Sequence, residues 1–319
     1  MKYVFICSTI SALLIMSWIH QARKEPPRIH GFHVVPISLV VPTTLEEVLL
    51  GCTTDFLRSL SLCNPLPAET LVVVKGFNPT NATHRAYFNA LESSFVPQIP
   101  ELHFFLLPED PHKHYMAGYS RNYGAARAKY DLISFHDGDD LVLPHKFGVV
   151  YHLMAIQHPD LHYLANGFLQ KRQDKVNGIV HLNISPPQNV LQLDPLTHQS
   201  QHVALAVNYT SFRDAYRTWR EGHPGGFVHC CVLFSKSFIT QNGHPTVRKK
   251  LWETIQFHDS MRRGQDSMFT TDVGVSDFNA SYITSPLSVY RVRPNMASGS
   301  AHTKTCDTFH GWAFDSNQQ

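Results

Sequence analysis

Short apolar runs alternate with stretches of helical periodicity along the first half of this chain. Four runs rich in β-branched and large apolar residues predict buried strands: 34–41, 70–75, 102–107 and 132–135. The stretches between them place apolar side chains at helical spacing and predict helices: 45–60, 83–94 and 120–129. Strands that alternate with helices predict an α/β domain with a mostly parallel central sheet flanked by helices.

The second half of the chain has a less regular pattern. A helix is predicted over 146–156, a hairpin around 176–184 and a buried strand over 227–234. Further predicted elements are a helix over 248–263, a helix that begins at Gln265 and Asp266, and a strand over 289–292.

The N-terminal residues 3–19 form a nearly unbroken apolar run without a charged side chain. Its length of about 17 residues is at the short end of what spans a bilayer. We expect an uncleaved signal-anchor that forms one transmembrane helix. The alternative is a cleaved signal peptide, but the sequence after Trp18 lacks a small-x-small cleavage site.

Two features disagree about the orientation of this segment in the membrane. Lys2 precedes the run and Arg23, Lys24 and Arg28 follow it, so the positive-inside rule favours a cytosolic domain. Four N-glycosylation sequons favour a lumenal glycoprotein instead: Asn81, Asn183, Asn208 and Asn279.

Composition excludes some classes of protein and leaves others open. Hydrophobic residues make up 43% of the chain, which is enough for a core. Charged residues make up 16% and the net charge is +2, so we expect no nucleic-acid partner. The six cysteines form no CxxC pair, which argues against a structural zinc site. Cys7 lies in the apolar N-terminal run. The other five could form one or two disulfides in a lumenal domain or be buried free thiols, and the sequence does not specify pairs: Cys52, Cys63, Cys230, Cys231 and Cys306.

Three carboxylates follow the strand predicted over 132–135: Asp137, Asp139 and Asp140. Ligands of parallel sheets bind at the carboxyl ends of strands, where these side chains are expected. Their negative charges repel one another unless a positive charge lies among them, and carboxylate oxygens suit Mn²⁺ or Mg²⁺. The pattern suits a divalent metal site for a diphosphate, and it suits equally a simple Asp-Gly turn before a helix.

Several segments, in order along the chain, resemble family 2-like glycosyltransferases of the GT-A type. ISLVVPTT at 37–44 resembles their opening strand, and SRNYGAARAKYDLISFHDGDD at 120–140 resembles their Arg-Asn-x-Gly helix and DxD strand. Three later segments are similar to the strand-helix-Gly-Gly-Phe region, the Glu-Asp pair and the Tyr-Arg-x-His segment: 227–245, 264–269 and 290–298. The resemblance covers about 35–300 and implies the GT-A, or nucleotide-diphospho-sugar transferase, fold.

The resemblance implies a metal-binding role for the acidic residues. Asp137 and Asp139 match the DxD positions, and Asp139 or Asp140 is expected to be a direct ligand of Mn²⁺ or Mg²⁺. Asp137 is also expected to contact the donor. The family's late His is Arg293 in this chain, so His302 is a candidate for the missing ligand.

The resemblance also implies donor-binding and catalytic residues. Pro42 and Thr43 match the loop that contacts the nucleotide base, and Arg121 and Asn122 match positions that line the donor pocket. Asp266 matches the carboxylate that removes the proton of the acceptor hydroxyl in inverting members.

Two departures keep other interpretations open. Gln265 replaces the Glu of the Glu-Asp pair, and Lys75 occupies the region where relatives have an acidic residue that contacts the base. A degenerate GT-A domain that binds nucleotide or glycan without turnover is therefore an alternative. A nucleotidyltransferase or a phosphatase is another α/β metal enzyme that the acidic cluster would suit.

The predicted organisation is a tail over 1–2, a signal-anchor over 3–19, a stem over 20–34, a GT-A domain over 35–300 and a tail over 301–319. The donor-binding half of the domain is expected over 35–145 and the acceptor half over 146–300. The expected reaction is metal-dependent transfer from a nucleotide sugar, expected to be UDP-linked, to a hydroxyl of a glycan, protein or lipid, with inversion. The expected location is the ER or Golgi membrane, with the domain in the lumen.

Overall fold

The computed structural model describes residues 28–29, 32–108, 116–172, 178–182, 233–235, 238–239, 244–261, 264–292, 306 and 309–314. Its strands are β1 Arg28–Ile29, β2 Phe32–Thr44, β3 Leu66–Phe77, β4 Leu102–Pro108, β5 Leu132–Phe135, β6 Leu141–Val142, β7 Tyr163–Arg172, β8 Gly178–Leu182, β9 Leu233–Ser235, β10 Phe238–Ile239, β11 Thr246–Arg248, β12 Ala280–Val292 and β13 Phe309–Phe314. Its helices are α1 Leu45–Leu49, α2 Cys52–Ser61, α3 Ala82–Phe95, α4 Ala117–Ala125, α5 Lys146–Tyr151, α6 Lys249–Thr254 and α7 Gln265–Val275, and a π-helical turn, His152–Gln157, continues α5.

One central sheet joins both halves of the described chain. Its strand order is β4-β3-β2-β5-β11-β7-β12-β6, and β1 pairs with β2. The pairs β4-β3, β3-β2, β2-β5 and β7-β12 are parallel, while β11 runs antiparallel to both of its neighbours. The predicted α/β class is confirmed, but the sheet is mixed, because the pairs β1-β2 and β12-β6 are antiparallel as well. Strands from 35–145 and from 146–300 share this sheet.

The strand order reverses between β2 and β5. From β2 the chain moves outward to β3 and β4, and it then returns to the other side of β2 as β5. A reversal of this kind leaves a crevice at the carboxyl ends of the two strands. The acidic run Asp137 to Asp140 follows β5 directly and therefore lies at this crevice.

The first-half strands form where the apolar pattern predicts them, but two of the predicted helices differ. The helix predicted over 45–60 is interrupted at Gly51, whose φ is 83°, and the helix predicted over 120–129 is α4, which ends at Ala125. The strand predicted over 132–135 is β5, and those predicted over 34–41, 70–75 and 102–107 are longer by a few residues in the structure. Thr44 ends β2 and begins α1 through a capping box with Glu47, in which each side chain accepts from the other residue's backbone N–H. This capping fixes the turn at the carboxyl end of β2, beside the crevice.

Two second-half predictions are wrong. The helix predicted over 248–263 ends at Thr254, because the following backbone is held by the side chain of Asn122. The predicted hairpin around 176–184 does not form in the described residues, since β8 pairs in parallel with the distant β13. In both places contacts from remote segments replace the local pattern.

Close packing places α4 on the sheet. A Cβ atom added at Gly124 would lie 2.5 Å from Cγ1 of Val40 in β2, and one at Gly118 would lie 2.6 Å from the carbonyl oxygen of His258. The absence of a side chain at both positions lets α4 contact the sheet on one side and the 255–261 loop on the other. This packing brings Arg121 to the crevice.

The N-terminal prediction falls outside the described residues, as do Cys230, Cys231, Arg293 and His302. Among the helices that the structure describes, none has the length and apolar character needed to cross a bilayer. The question of cysteine pairing is answered in part, because Cys52 at the start of α2 is disulfide-bonded to Cys306, whereas Cys63 is a buried free thiol.

Candidate active site

Residues 136–140 form the acidic loop, and backbone hydrogen bonds fix this loop to the end of β2. The N–H of His136 donates to the carbonyl of Val40 at 3.1 Å, and the N–H of Gly138 donates to the carbonyl of Pro42 at 3.1 Å. A Cβ atom at residue 138 would lie 2.8 Å from Cβ of Thr43. Glycine is therefore required for the loop to lie this close to β2, and its position sets where the flanking carboxylates point.

Two of the three carboxylates lie beside a histidine from a distant part of the chain. Ligand atoms of Asp137, Asp140 and His244 all lie within 4.8 Å of one another. Nε2 of His244 is 3.2 Å from Oδ2 of Asp140 and 3.9 Å from Oδ2 of Asp137. Two carboxylates and an imidazole at these separations can bind one divalent cation. Asp139 is outside this set, and its role as a direct ligand stays a prediction.

The electrostatics of the loop favour a bound cation. Burial raises the pKa of Asp137 to about 7; Arg121 acts to lower this pKa, and the charges of Asp139, Asp266 and Glu47 act to raise it further. Burial and the charges of Asp139 and Asp137 raise the pKa of Asp140 well above its ordinary value. A divalent cation would offset both the repulsion and the loss of hydration.

The buried side chain of Lys146 lies near the acidic loop. Burial lowers the pKa of Lys146 to about 7, although the charges of Cys63, Asp137 and Asp140 act to raise it. Its Nζ is 3.5 Å from the carbonyl of Phe135. Lys146 is completely buried, so its charge is only a partial balance for the carboxylates.

Arg291 is hydrogen-bonded to the acidic loop. Its backbone N–H donates to Oδ1 of Asp140 at 2.8 Å, and its Nε donates to the carbonyl oxygen of Asp139. Its Nη1 forms a buried ion pair with Asp55 at 2.7 Å. Two other guanidinium contacts reach the carbonyl oxygens of Cys52 and Cys306, at 3.2 and 3.4 Å. One side chain therefore links the acidic loop to both ends of the disulfide.

Arg121 in α4 contacts the acidic loop at Asp137. Its Nη2 donates to Oδ1 of Asp137, and its guanidinium group lies 5.2 Å from the ring centre of Phe257. Its Nε and Nη1 atoms have no hydrogen-bond partner in the structure. Arg121 is only 2% exposed, so these unsatisfied donors beside the crevice are suited to an anionic group of a ligand.

The other donor-binding candidates lie close to the crevice with their polar atoms engaged. The Thr43 hydroxyl is 3.1 Å from Glu47 and 2.9 Å from the Thr53 hydroxyl, and Pro42 contacts the loop through its carbonyl. The Asn122 amide donates to the carbonyl of Phe257 at 2.7 Å and to Asp259 at 2.6 Å. A contact of these residues with a nucleotide stays a prediction.

Asp266 lies in the first turn of α7 and is half-buried. Its negative charge is among those that raise the pKa of Asp137, so the two carboxylates lie near enough to interact. Gln265 precedes it, with a buried Oε1 atom that has no hydrogen-bond partner. The structure thus brings the candidate base to the neighbourhood of the metal candidates.

Sequence reasoning missed two residues of this site. In the sequence, His244 belongs to an Asn-Gly-His-Pro run that predicts only a turn, and Arg291 belongs to the strand predicted over 289–292. A histidine beside Gly and Pro carries no local signal of metal binding, and its neighbours Asp137 and Asp140 are over 100 positions away. The predicted ligand His302 lies outside the described residues.

Comparisons with known proteins give similar solved structures but no family. No protein-family model matches the chain, and no curated protein is similar to it in sequence. S. aureus TarS 1-349 matches 81% of this chain and 60% of its own length, with 16% identity and a TM-score of 0.49. M. tuberculosis glucosyl-3-phosphoglycerate synthase matches 82% and 73%, with 15% identity and a TM-score of 0.44.

A third solved structure contains both a sugar nucleotide and a metal. The mannosyltransferase PcManGT from Pyrobaculum calidifontis, in complex with GDP-Man and Mn²⁺, matches 92% of this chain and 68% of its own length. The identity is 14% and the TM-score is 0.45.

We predict that Asp140→Asn stabilises the protein when no metal is present. An asparagine keeps the Oδ1 acceptor for Arg291 and removes a carboxyl group whose charged form is disfavoured by burial. In the presence of a chelator at pH 7, the melting temperature should rise by about 2–4 °C for each kcal/mol of relieved repulsion. The rise measured on addition of Mn²⁺ should become smaller.

The pH dependence provides a check on this explanation. At pH 4 the carboxyl is protonated in the folded chain, where its pKa is raised, and about half protonated in the unfolded chain, so ionisation of the unfolded chain has only begun to oppose folding and the variant should gain little. The gain should grow as the pH rises to 7. Glu92→Gln, at an exposed site on α3, is the control and should show neither effect. A lower melting temperature for Asp140→Asn in chelator would contradict the analysis.

We predict that Arg291→Met strongly destabilises the chain. The change leaves the buried carboxylate of Asp55 without its ion-pair partner and removes the support of the acidic loop. Loss of one member of a buried pair should lower the free energy of unfolding by about 3–5 kcal/mol, measured by urea denaturation. Arg291→Lys keeps the charge but lacks the forked donors, so it should restore only part of this loss. A loss below about 1 kcal/mol for Arg291→Met would refute the role of this residue.

Proposed function

We propose that this chain is a metal-dependent glycosyltransferase that transfers a sugar from a nucleotide sugar to an acceptor hydroxyl with inversion. The observation that carries the proposal is the arrangement at the β2–β5 crevice. There the carboxylates of Asp137 and Asp140 lie together, and the carboxylate of Asp266 lies close enough to affect the pKa of Asp137.

The residues present fit a divalent cation. Asp137 and Asp140 offer carboxylate oxygens, and Oδ2 of Asp140 is buried without a hydrogen-bond partner. A cation bound here would neutralise the charge of a leaving nucleoside diphosphate. Mn²⁺ and Mg²⁺ both suit carboxylate ligands.

Arg121 supports binding of the diphosphate. Its Nη2 contacts Asp137, while its Nε and Nη1 atoms are buried without a hydrogen-bond partner and can donate to an anion. Its contact with Asp137 and the ring of Phe257 holds the guanidinium in place, so little conformational entropy is lost when it binds an anion. We propose that Arg121 donates to the phosphates of the donor.

Asp266 is the proposed general base. It accepts the proton of the acceptor hydroxyl as that oxygen forms a bond to the anomeric carbon. The bond between the anomeric carbon and the diphosphate oxygen breaks in the same step, and the nucleoside diphosphate leaves with the electron pair. The attack comes from the face opposite the leaving group, so the configuration of the sugar is inverted.

The proposal is tested with the purified full-length chain in detergent. Release of nucleoside diphosphate is measured with a panel of UDP-, GDP- and CDP-sugars, in Mn²⁺, Mg²⁺ or a chelator. UDP-GlcNAc and GDP-mannose are included because solved structures of similar shape contain them. We expect release from one donor class, dependent on metal, that falls about 100-fold or more in Asp266→Asn while donor binding is kept.

A matched control and two contrary outcomes complete this test. Asp277→Asn, at an exposed carboxylate just after the same helix, should retain activity. Donor-dependent thermal stabilisation without release of diphosphate from any donor would indicate a binding domain without turnover. Consumption of a nucleoside triphosphate in preference to sugar nucleotides would indicate a nucleotidyltransferase instead.

We also propose that residues 3–19 anchor the chain in the ER or Golgi membrane, with the catalytic domain in the lumen. The disulfide between Cys52 and Cys306 supports this location, because such bonds persist in oxidising compartments. In cells, the full-length chain should sediment with membranes after carbonate extraction. Digestion with an N-glycosidase should increase its gel mobility, and Asn81→Gln should remove part of that shift. A chain without attached glycan that is accessible to protease from the cytosol would contradict the proposal.

A further inference from the structure

His244 is fixed from two sides within the core. It is completely buried, and its ring stacks on the ring of His136 with centroids 3.9 Å apart and planes inclined by 13°. Its Nδ1 lies 3.0 Å from Oγ of Ser288 in β12. The stacking sets the plane of the ring and the Ser288 contact sets its rotation, so the direction of the second nitrogen is determined.

That second nitrogen points into the acidic cluster. Nε2 is 3.2 Å from Oδ2 of Asp140 and 3.9 Å from Oδ2 of Asp137. Neither Nε2 nor Oδ2 of Asp140 forms a hydrogen bond, although both atoms are buried. Buried polar atoms in folded proteins nearly always have a hydrogen-bond partner. Two neighbouring buried atoms that both lack one therefore indicate a binding position for a ligand between them.

A cation satisfies both atoms at once. When Nδ1 carries the ring proton and donates a hydrogen bond to Oγ of Ser288, Nε2 keeps a lone pair directed at the carboxylates. Metal-binding histidines commonly show this arrangement, in which the distal N–H is hydrogen-bonded and the other nitrogen coordinates.

We propose that His244 binds the cation through Nε2 together with Asp137 and Asp140, and that this nitrogen ligand makes the site select Mn²⁺ over Mg²⁺. The proposal rests on the cation site of the proposed function and specifies its third protein ligand and its metal. Mg²⁺ is bound almost entirely by oxygen atoms, whereas affinity for nitrogen-containing sites increases from Mn²⁺ toward later transition metals. Ser288 is a positioning residue that acts through His244.

The experiment measures metal binding directly, without a sugar donor. The full-length chain is loaded with Mn²⁺ and examined by pulsed electron paramagnetic resonance, which detects coupling between the metal and a directly bound ¹⁴N nucleus. The wild-type chain should show this coupling. His244→Asp, which replaces the nitrogen with an oxygen ligand, should bind Mn²⁺ without it.

Competition between the two metals tests the selectivity. Mg²⁺ is titrated against bound Mn²⁺, and the ratio of the two dissociation constants is compared between variants. His244→Asp should lower the preference for Mn²⁺ by about 10-fold or more, and Ser288→Ala should weaken Mn²⁺ binding by about 10-fold while keeping the coupling. His136→Phe keeps an aromatic ring beside His244 and should keep both the coupling and the preference, which excludes His136 as the source of nitrogen.

The outcomes separate this inference from the proposed function. Mn²⁺ bound to the wild-type chain without ¹⁴N coupling overturns the inference, and this result does not depend on whether any variant folds. Coupling that persists in a folded His244→Asp chain, or an unchanged metal preference, also overturns it. Sugar transfer by such a chain would leave the proposed function standing. Coupling without transfer from any donor would instead support the ligand assignment and refute the proposed reaction.

Discussion

The mutual repulsion of buried carboxylates is the constraint on which the rest of the site depends. Asp139 and Asp140 are nearly or fully buried, and Asp137 lies beside them on the same loop. A site that removes several charges from water and leaves them unbalanced would oppose folding. Neighbouring cationic side chains neutralise part of this negative charge. Arg121 contacts Asp137, Arg291 donates to the carbonyl of Asp139, and the buried Lys146 interacts with the charges of Asp137 and Asp140. A divalent cation would neutralise the rest.

Arg291 connects this site to the stability of the domain. Its guanidinium reaches Asp55 in α2 and the carbonyls of both disulfide cysteines, while its backbone and Nε hold the acidic loop. Asp55 also accepts from the N–H of Phe309 at 3.0 Å, so the last described strand is joined to the same network. The geometry of the metal candidates therefore depends on contacts between segments that are more than 200 positions apart in the chain.

The position of His244 shows how the sheet assembles a site from unrelated segments. The strand that follows it, β11, lies between β5 and β7, and β12 carries Ser288 two strands away. Insertion of β11 beside β5 brings Pro245 to the N–H of Phe135, at 2.8 Å. His244 then lies against His136 and the carboxylates. The position of His244 is therefore set by the sheet, through the pairing of β11 with β5 and the contact with Ser288 in β12.

The sequence by itself determined the α/β class, the first-half strands and the place of the acidic run after β5, because local periodicity and capping carry that information. It also identified Asp137 and Asp140 as metal candidates, since carboxylates after a buried strand have a direct chemical meaning. Only the tertiary structure decided that His244 joins them, that Arg291 supports them and that Cys52 pairs with Cys306. It also ended the predicted 248–263 helix at Thr254, where Asn122 captures the backbone. These features arise from contacts between distant segments, and neither periodicity nor residue spacing along one chain encodes such contacts.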